Sequence, residues 1–150
     1  MSIIENTIHG NTMLLTLNNP TKRNSMIKGF HDEFQSSIKI AEENKDVFSI
    51  VITGEGDFFC AGGDLNALKT RRSMTEEQRY ETLNQLNGTI EAIYNCSKPV
   101  ISAIEGGAAD TPDGSGAFFL CDIFDTIPKN DLASMEHPLF SLATRPDRRI

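Results

Sequence analysis

Tryptophan is absent from the 150 residues, tyrosine occurs twice, and cysteine and histidine three times each. No apolar run approaches the ~20 residues that a membrane-spanning helix needs, and Met1-Ser2-Ile3-Ile4-Glu5 lacks the basic start of a signal peptide. A cytoplasmic protein with no membrane partner is expected. Cys60, Cys96 and Cys121 are odd in number, widely spaced and without a pairing pattern, so neither a disulfide framework nor a cysteine-based metal site is suggested. His9, His31 and His137 form no pair four residues apart, so each reads as a packing or surface residue and no metal is expected. Basic charge is also scarce. Lys and Arg number 14 against 21 Asp and Glu, a net −7, and no basic run is longer than Arg71-Arg72 or Arg148-Arg149. Wholesale binding to a phosphate backbone is disfavoured, and no nucleic acid partner is expected.

Hydrophobic residues make up 39% and charged residues 23%, the composition of an ordinary globular protein. The length suits one domain over 1–150. Thr12 to Leu17 alternates, with Met13, Leu15 and Leu17 on one face and Thr12 and Thr16 on the other, the period of a partly buried strand. Asn18-Asn19-Pro20 ends it in a turn. Ile27, Phe30, Phe34, Ile38 and Ala41 recur at intervals of three and four, predicting a helix over 27–44. Phe48 to Thr53 is short, β-branched and bounded by Gly54, the signature of a buried parallel strand. Thr75 with Gln78 makes a capping box for a second helix, whose inner face is predicted to carry Tyr80, Leu83, Leu86, Ile90 and Ile93. Lys98-Pro99 ends it, and Val100 to Ile104 reads as another buried strand. This β, β, α, β, α, β order implies an α/β layer structure with crossover connections. Beyond Ala109, Asp110 to Gly116 is turn-forming, Ala117 to Phe124 is apolar, and Ala143 to Arg149 reads as a solvated tail.

The loop Gly54 to Leu65 carries the most chemical information. Ala61, Gly62 and Gly63 leave backbone N–H groups unscreened where the chain enters a helix, an arrangement able to hold an oxyanion. A glycine turn capped by Asp64 accounts for the same residues. A phosphate loop does not: Gly54-x-Gly56 lacks a third glycine at Phe59, and no Gly-Lys-Ser/Thr follows.

Three segments in order, Asn18-Asn19-Pro20-Thr21-Lys22-Arg23-Asn24-Ser25-Met26, then Ile50 to Gly54 leading into Phe59-Cys60-Ala61-Gly62-Gly63-Asp64-Leu65, then Lys98 to Ala108, resemble the crotonase (enoyl-CoA hydratase/isomerase) superfamily over residues 1–109. The resemblance implies a crotonase-like α/β fold of repeated ββα units, shortened relative to its relatives. It also implies an acyl-CoA thioester substrate, with CoA as part of the substrate and no separate cofactor. The thioester carbonyl would be polarised by two backbone N–H groups as an enolate develops. Gly63 would supply the first, Ala61 to Leu65 would receive the adenine end of CoA, and Lys22 and Arg23 would lie near its phosphates or pantetheine arm. As residues of this sequence alone, Lys22 and Arg23 also fit an ordinary solvated turn. Self-assembly as a trimer or dimer of trimers is implied by the same resemblance.

The chain departs from the family pattern after Ala109, where Asp110-Thr111-Pro112-Asp113-Gly114 replaces the expected glycines. The second donor then falls at or beside Thr111, and Pro112 has no N–H. Thr111 to Gly116 resembles a segment found later in relatives, which suggests that an internal stretch is missing. Asp113 matches the carboxylate that shuttles a proton in isomerase-type relatives, although Thr111 as N-cap and Pro112 at the first helical position would equally explain it as a cap residue. Hydration in the family uses two carboxylates, and the place of one falls at Gly114, so the expectation is an isomerase-type proton shift rather than hydration. The alternative is a catalytically impaired acyl-CoA-binding or assembly remnant of the same fold. A serine hydrolase built on Ser115 is disfavoured, because Asp113 and Ala117 break the Gly-x-Ser-x-Gly pattern and His137 has no argued geometry.

Overall fold

A computed structural model of the chain describes residues 2–108 and 126–128. Asp113, Ser115, Cys121 and His137, together with the readings of 109–125 and 143–149, lie outside the described residues. Two strands, β1 (Ile4–His9) and β2 (Thr12–Leu17), lead into helix α1 (Phe30–Glu43). Strands β3 (Ser49–Gly54) and β4 (Phe58–Cys60) lead into α2 (Leu65–Thr70) and α3 (Glu76–Tyr94). A third pair, β5 (Val100–Ile104) and β6 (Gly107–Ala108), follows, and β7 (Thr126–Pro128) closes the described chain. The ββα rhythm is therefore visible twice, and the strand pair that would begin a third unit is present.

The main sheet runs β1-β2-β3-β5-β7. The β1–β2 hairpin is antiparallel and every other pairing in that sheet is parallel; α1 carries the chain back from β2 to β3, and α2 and α3 carry it back before β5. Strand alternation sorts the faces. Met13 lies level with Ile50 and Leu15 with Ile52, and these side chains with Leu17 pack against Phe30, Phe34, Ile38 and Ala41 of α1 and Ile93 of α3. The opposite face holds a buried hydroxyl pair, Thr12 Oγ1 and Ser49 Oγ at 2.8 Å.

Helix α1 begins three residues later than the periodicity predicts. Gly29 sits at φ 91°, outside helical space, and the Ile27 N–H turns back to Ser25 O. At the other end Lys98 Nζ donates to Ala41 O and Asn44 O, satisfying carbonyls that a helix C-terminus leaves open. The Thr75–Gln78 capping box forms as expected.

The predicted inner face of α3 holds only in part. Ile93 is 4% exposed, but Tyr80 is 66% and Leu83 43% exposed. The reason is where the two helices meet. Gln35 Nε2 donates to Gln85 O, and His31 Nδ1 lies 3.0 Å from Thr89 Oγ1, so α3 engages α1 only along its C-terminal half. His31 is a packing residue here, edge-on to the Phe30 ring, with burial lowering its pKa against a smaller opposing effect of Asp32. Three short strands, β4, β6 and β7, were not anticipated. Each has two or three residues, too few to show a period.

A contrast in urea denaturation checks this core. Phe34→Ala is expected to cost about 3–5 kcal/mol, whereas Tyr80→Ala should stay within about 0.5 kcal/mol.

Candidate active site

The site is built by three segments that are remote in sequence and adjacent in space. The first follows β2. Pro20–Lys22 forms one 3-10 turn, after which Arg23 and Asn24 both adopt left-handed backbone, at φ 53° and 55°. Two such residues in succession reverse the chain and turn its carbonyls outward. Arg23 O accepts the Ala61 N–H at 2.9 Å, and Asn24 O accepts the Cys60 thiol at 3.1 Å.

The second segment is the loop from β4 into α2. Met26 forms a parallel bridge with Gly63: the Met26 N–H donates to Gly62 O at 2.8 Å, and Met26 O accepts the Asp64 N–H at 3.4 Å. In a parallel bridge the central residue's own N–H points away from its partner. The consequence is specific. Ala61 N–H bonds Arg23 O, Gly62 N–H bonds Cys60 Sγ at 3.4 Å and Asp64 N–H bonds Met26 O, while the Gly63 N–H has no acceptor among the described residues. Gly63 is half-buried, and Gly62, at φ 78°, is buried beside it. Asp64 Oδ1 accepts the Asn66 N–H at 3.2 Å, so the turn-capping role foreseen for Asp64 is filled in the same loop. Helix α2 has only six residues, which makes the individual N–H, rather than a long helix dipole, the electrostatic feature of the loop.

The third segment comes from β5 and β6. β6 pairs parallel with β4, Phe58 opposite Gly107 and Cys60 opposite Ala108. Gly106 is at φ 67°, and a Cβ there would fall on the Asp57 carbonyl; one at Gly107 would fall on the Phe58 ring. Only glycine lets the two backbones approach this closely. On the loop's outer side the Arg23 guanidinium lies 5.5 Å over the Phe58 ring. Lys22 and Arg23 are both exposed, and the cation–π contact gives the Arg23 guanidinium a position on the Phe58 ring. Leu65 projects into solvent, Ala61 is half-buried, and Glu105 is half-buried at the start of the glycine turn.

Gly63, Lys22, Arg23, Ala61, Gly62, Asp64 and Leu65 are therefore brought together, and Asp113 lies outside the described residues. Sequence reasoning quoted Asn24 but gave it no role; the available signal was an Asn in a turn, a residue type that tolerates left-handed backbone. Neither Cys60 nor Cys96 forms a disulfide among the described residues, and burial pushes the Cys96 thiol up. Among the described residues, no group of three or more His, Cys, Asp or Glu is placed to hold a metal ion, and no helix is long and apolar enough to cross a membrane.

With these three segments converging, comparison with known proteins is direct. The sequence model of the enoyl-CoA hydratase/isomerase family matches residues 7–130, and the chain belongs to that family. The match runs beyond Ala109, where the motif resemblance stops, and takes in β7, the strand that rejoins the sheet beside β5. Over 149 residues the chain is 30% identical to the peroxisomal Delta(3,5)-Delta(2,4)-dienoyl-CoA isomerase of Arabidopsis thaliana, covering 89% of this chain and 53% of that protein. Over 112 residues it is 32% identical to the 2,3-dehydroadipyl-CoA hydratase of Escherichia coli, covering 74% of this chain and 41% of the relative. Among solved structures, an enoyl-CoA hydratase from Polaromonas superposes with TM-score 0.68 at 39% identity, over 71% of this chain and 42% of that one. An enoyl-CoA hydratase/isomerase from Xanthobacter autotrophicus superposes with TM-score 0.75 at 26% identity, over 85% and 46%. The fold is the crotonase α/β type, and the chain spans between a quarter and about half the length of the curated relatives it matches.

The close approach at the third segment is testable. Gly106→Ala should destabilise the protein by about 2–4 kcal/mol, because the new Cβ meets backbone and the residue must hold a positive φ; a urea midpoint equal to that of the parent would mean that β6 does not seat against the loop.

Proposed function

We propose that the chain handles an acyl-CoA thioester whose carbonyl oxygen accepts the Gly63 N–H, so that negative charge developing on that oxygen is stabilised as an enolate forms. The observation that carries this reading is the Gly63 N–H itself, which has no acceptor among the described residues in a run whose neighbouring N–H groups are all engaged. A donor fixed before substrate arrives needs no reorganisation when charge develops, which is why such groups contribute strongly to catalysis. Ala61 to Leu65 would take the adenine end of CoA, with Lys22 and Arg23 near its phosphates or pantetheine arm. A second donor would come from at or beside Thr111. The substrate brings its own CoA, and the proposed chemistry needs no further cofactor and no metal.

In this reading the reaction is a proton shift and not hydration. Asp113, as carboxylate, takes a proton from one carbon of the acyl chain, the electron pair moves into the thioester enolate, and the same proton returns to another carbon as the double bond migrates. One carboxylate suffices for that exchange, whereas adding water across the double bond calls for two. The chain's similarity to a dienoyl-CoA isomerase over most of its length supports this choice, although relatives named as hydratases are similar too. Assembly as a trimer or dimer of trimers, and a place in the cytoplasm, belong to the same proposal.

Two measurements test it. Gly63→Pro deletes the donor and should lower kcat by ~10²–10³ on any 2-enoyl-CoA that the parent turns over; turnover equal to the parent's would remove Gly63 from the reaction. Comparing double-bond migration with water addition should show migration predominating and falling by ~10²–10⁴ in Asp113→Asn, an isosteric change that abolishes the titrating group. Robust hydration surviving that substitution would reverse the assignment and direct attention to Glu105.

A further inference from the structure

Asn24 is 1% exposed, the most deeply buried residue of the turn that follows β2, and its polar groups are all engaged. Its Oδ1 accepts the Asn19 N–H at 2.9 Å, and its Nδ2 donates to Glu55 O at 3.0 Å and Phe58 O at 2.6 Å. Its own N–H donates to Asn19 O, and its carbonyl accepts the Cys60 thiol. One side-chain amide therefore joins the turn after β2, the loop between β3 and β4, and β4 itself. The fit is close: a Cβ at Gly54 would come within 2.8 Å of Asn24 Nδ2. A left-handed residue that is neither Gly nor at a solvent-exposed tip persists only where its surroundings hold it.

The groups that aim Gly63 flank this residue on both sides. Arg23 O anchors Ala61, and Met26 anchors Gly62 and Asp64. Their spacing along the loop depends on the left-handed pair between β2 and Met26, and the Asn24 amide ties that pair to the far end of the same loop. We infer that Asn24 is a positioning residue for the Gly63 donor: it contacts no substrate, and it fixes the distance and direction of the Gly63 N–H through Arg23 and Met26. The inference rests on the oxyanion reading of Gly63. Its consequence is a split between binding and chemistry. The exposed Lys22 and Leu65, which would meet CoA, make no hydrogen bond to the Asn24 side chain, so removing the amide loosens the donor and leaves the proposed CoA contacts in place.

The experiment uses the full chain and a chromophoric thioester, 4-(dimethylamino)cinnamoyl-CoA, whose absorption moves to longer wavelength when its carbonyl is polarised. Asn24→Gly tolerates the positive φ and deletes the amide; Asn24→Asp keeps the acceptor for Asn19 and loses both donors. The parent should bind the probe with a red shift. Both variants should bind with a Kd within about threefold of the parent's, lose most of the shift, and show kcat about 100-fold lower, normalised to the folded fraction from thermal melts, as expected for a reacting group displaced by about 1 Å. A full red shift in either folded variant overturns the inference and leaves the oxyanion reading intact. A parent that binds with no shift defeats the oxyanion reading and the inference with it. Failure of both variants to fold, or a loss of affinity equal to the loss of shift, makes Asn24 a structural residue only and overturns its positioning role.

Discussion

The bridge between Met26 and Gly63 is the constraint on which the site depends. A peptide strand offers its N–H groups alternately to either side, and whichever side a neighbouring chain occupies loses its donors to that neighbour. Met26 takes the donors and acceptors on one side of the loop, and Gly63 is left facing the other way. No acidic or basic side chain is needed to create this feature. It follows from backbone direction, and the rest of the architecture serves to bring Met26 and Gly63 level: a parallel sheet that delivers β2 and β3 side by side, and helix α1 packed across them.

How much of this was legible in the sequence follows from the length of each signal. β2 and β5 were bounded correctly, and β3 is displaced by one residue, because five or six residues of alternating or continuous apolar character are enough to read. α1 was found from its stripe of Phe30, Phe34, Ile38 and Ala41, yet its start was misplaced, since periodicity extends through Ile27 while Gly29 breaks the backbone. The stripe on α3 is equally periodic and half exposed. Periodicity shows that a face is apolar; where the neighbouring helix meets it decides how much of it is covered. The loop at Gly63 was found from its small residues and from resemblance, but its mechanism, the paired Met26, is a contact between distant backbone atoms and leaves no trace in residue type.

Polar contacts do much of the joining between elements. Glu33 illustrates this: its carboxylate accepts the Ser2 hydroxyl and the N–H groups of Ile3 and Ile4, tying the start of β1 to α1. Burial opposes its ionisation, and these hydrogen bonds outweigh that effect and hold the carboxyl below its ordinary range. Lys98 plays the corresponding part at the far end of α1. The apolar core sets the layers, and these few charge-assisted contacts fix how the helix is seated on the sheet.

The glycine pair at Gly106 and Gly107 also bears on the order in which the protein is made. Phe58 acquires its β6 neighbour only once the chain has crossed back through α3, been extended through β5, and laid those two glycines against β4. A nascent chain extended only through residue 64 has therefore supplied Met26 and Gly63 without the β6 backbone that packs against β4. Contacts so far apart in sequence must meet their loop-closure entropy before they add stability, and they form late. The β1–β2 hairpin and α1 are local enough to precede them, so the loop at Gly63 is completed only after β6 has emerged, and β7 joins β5 later still.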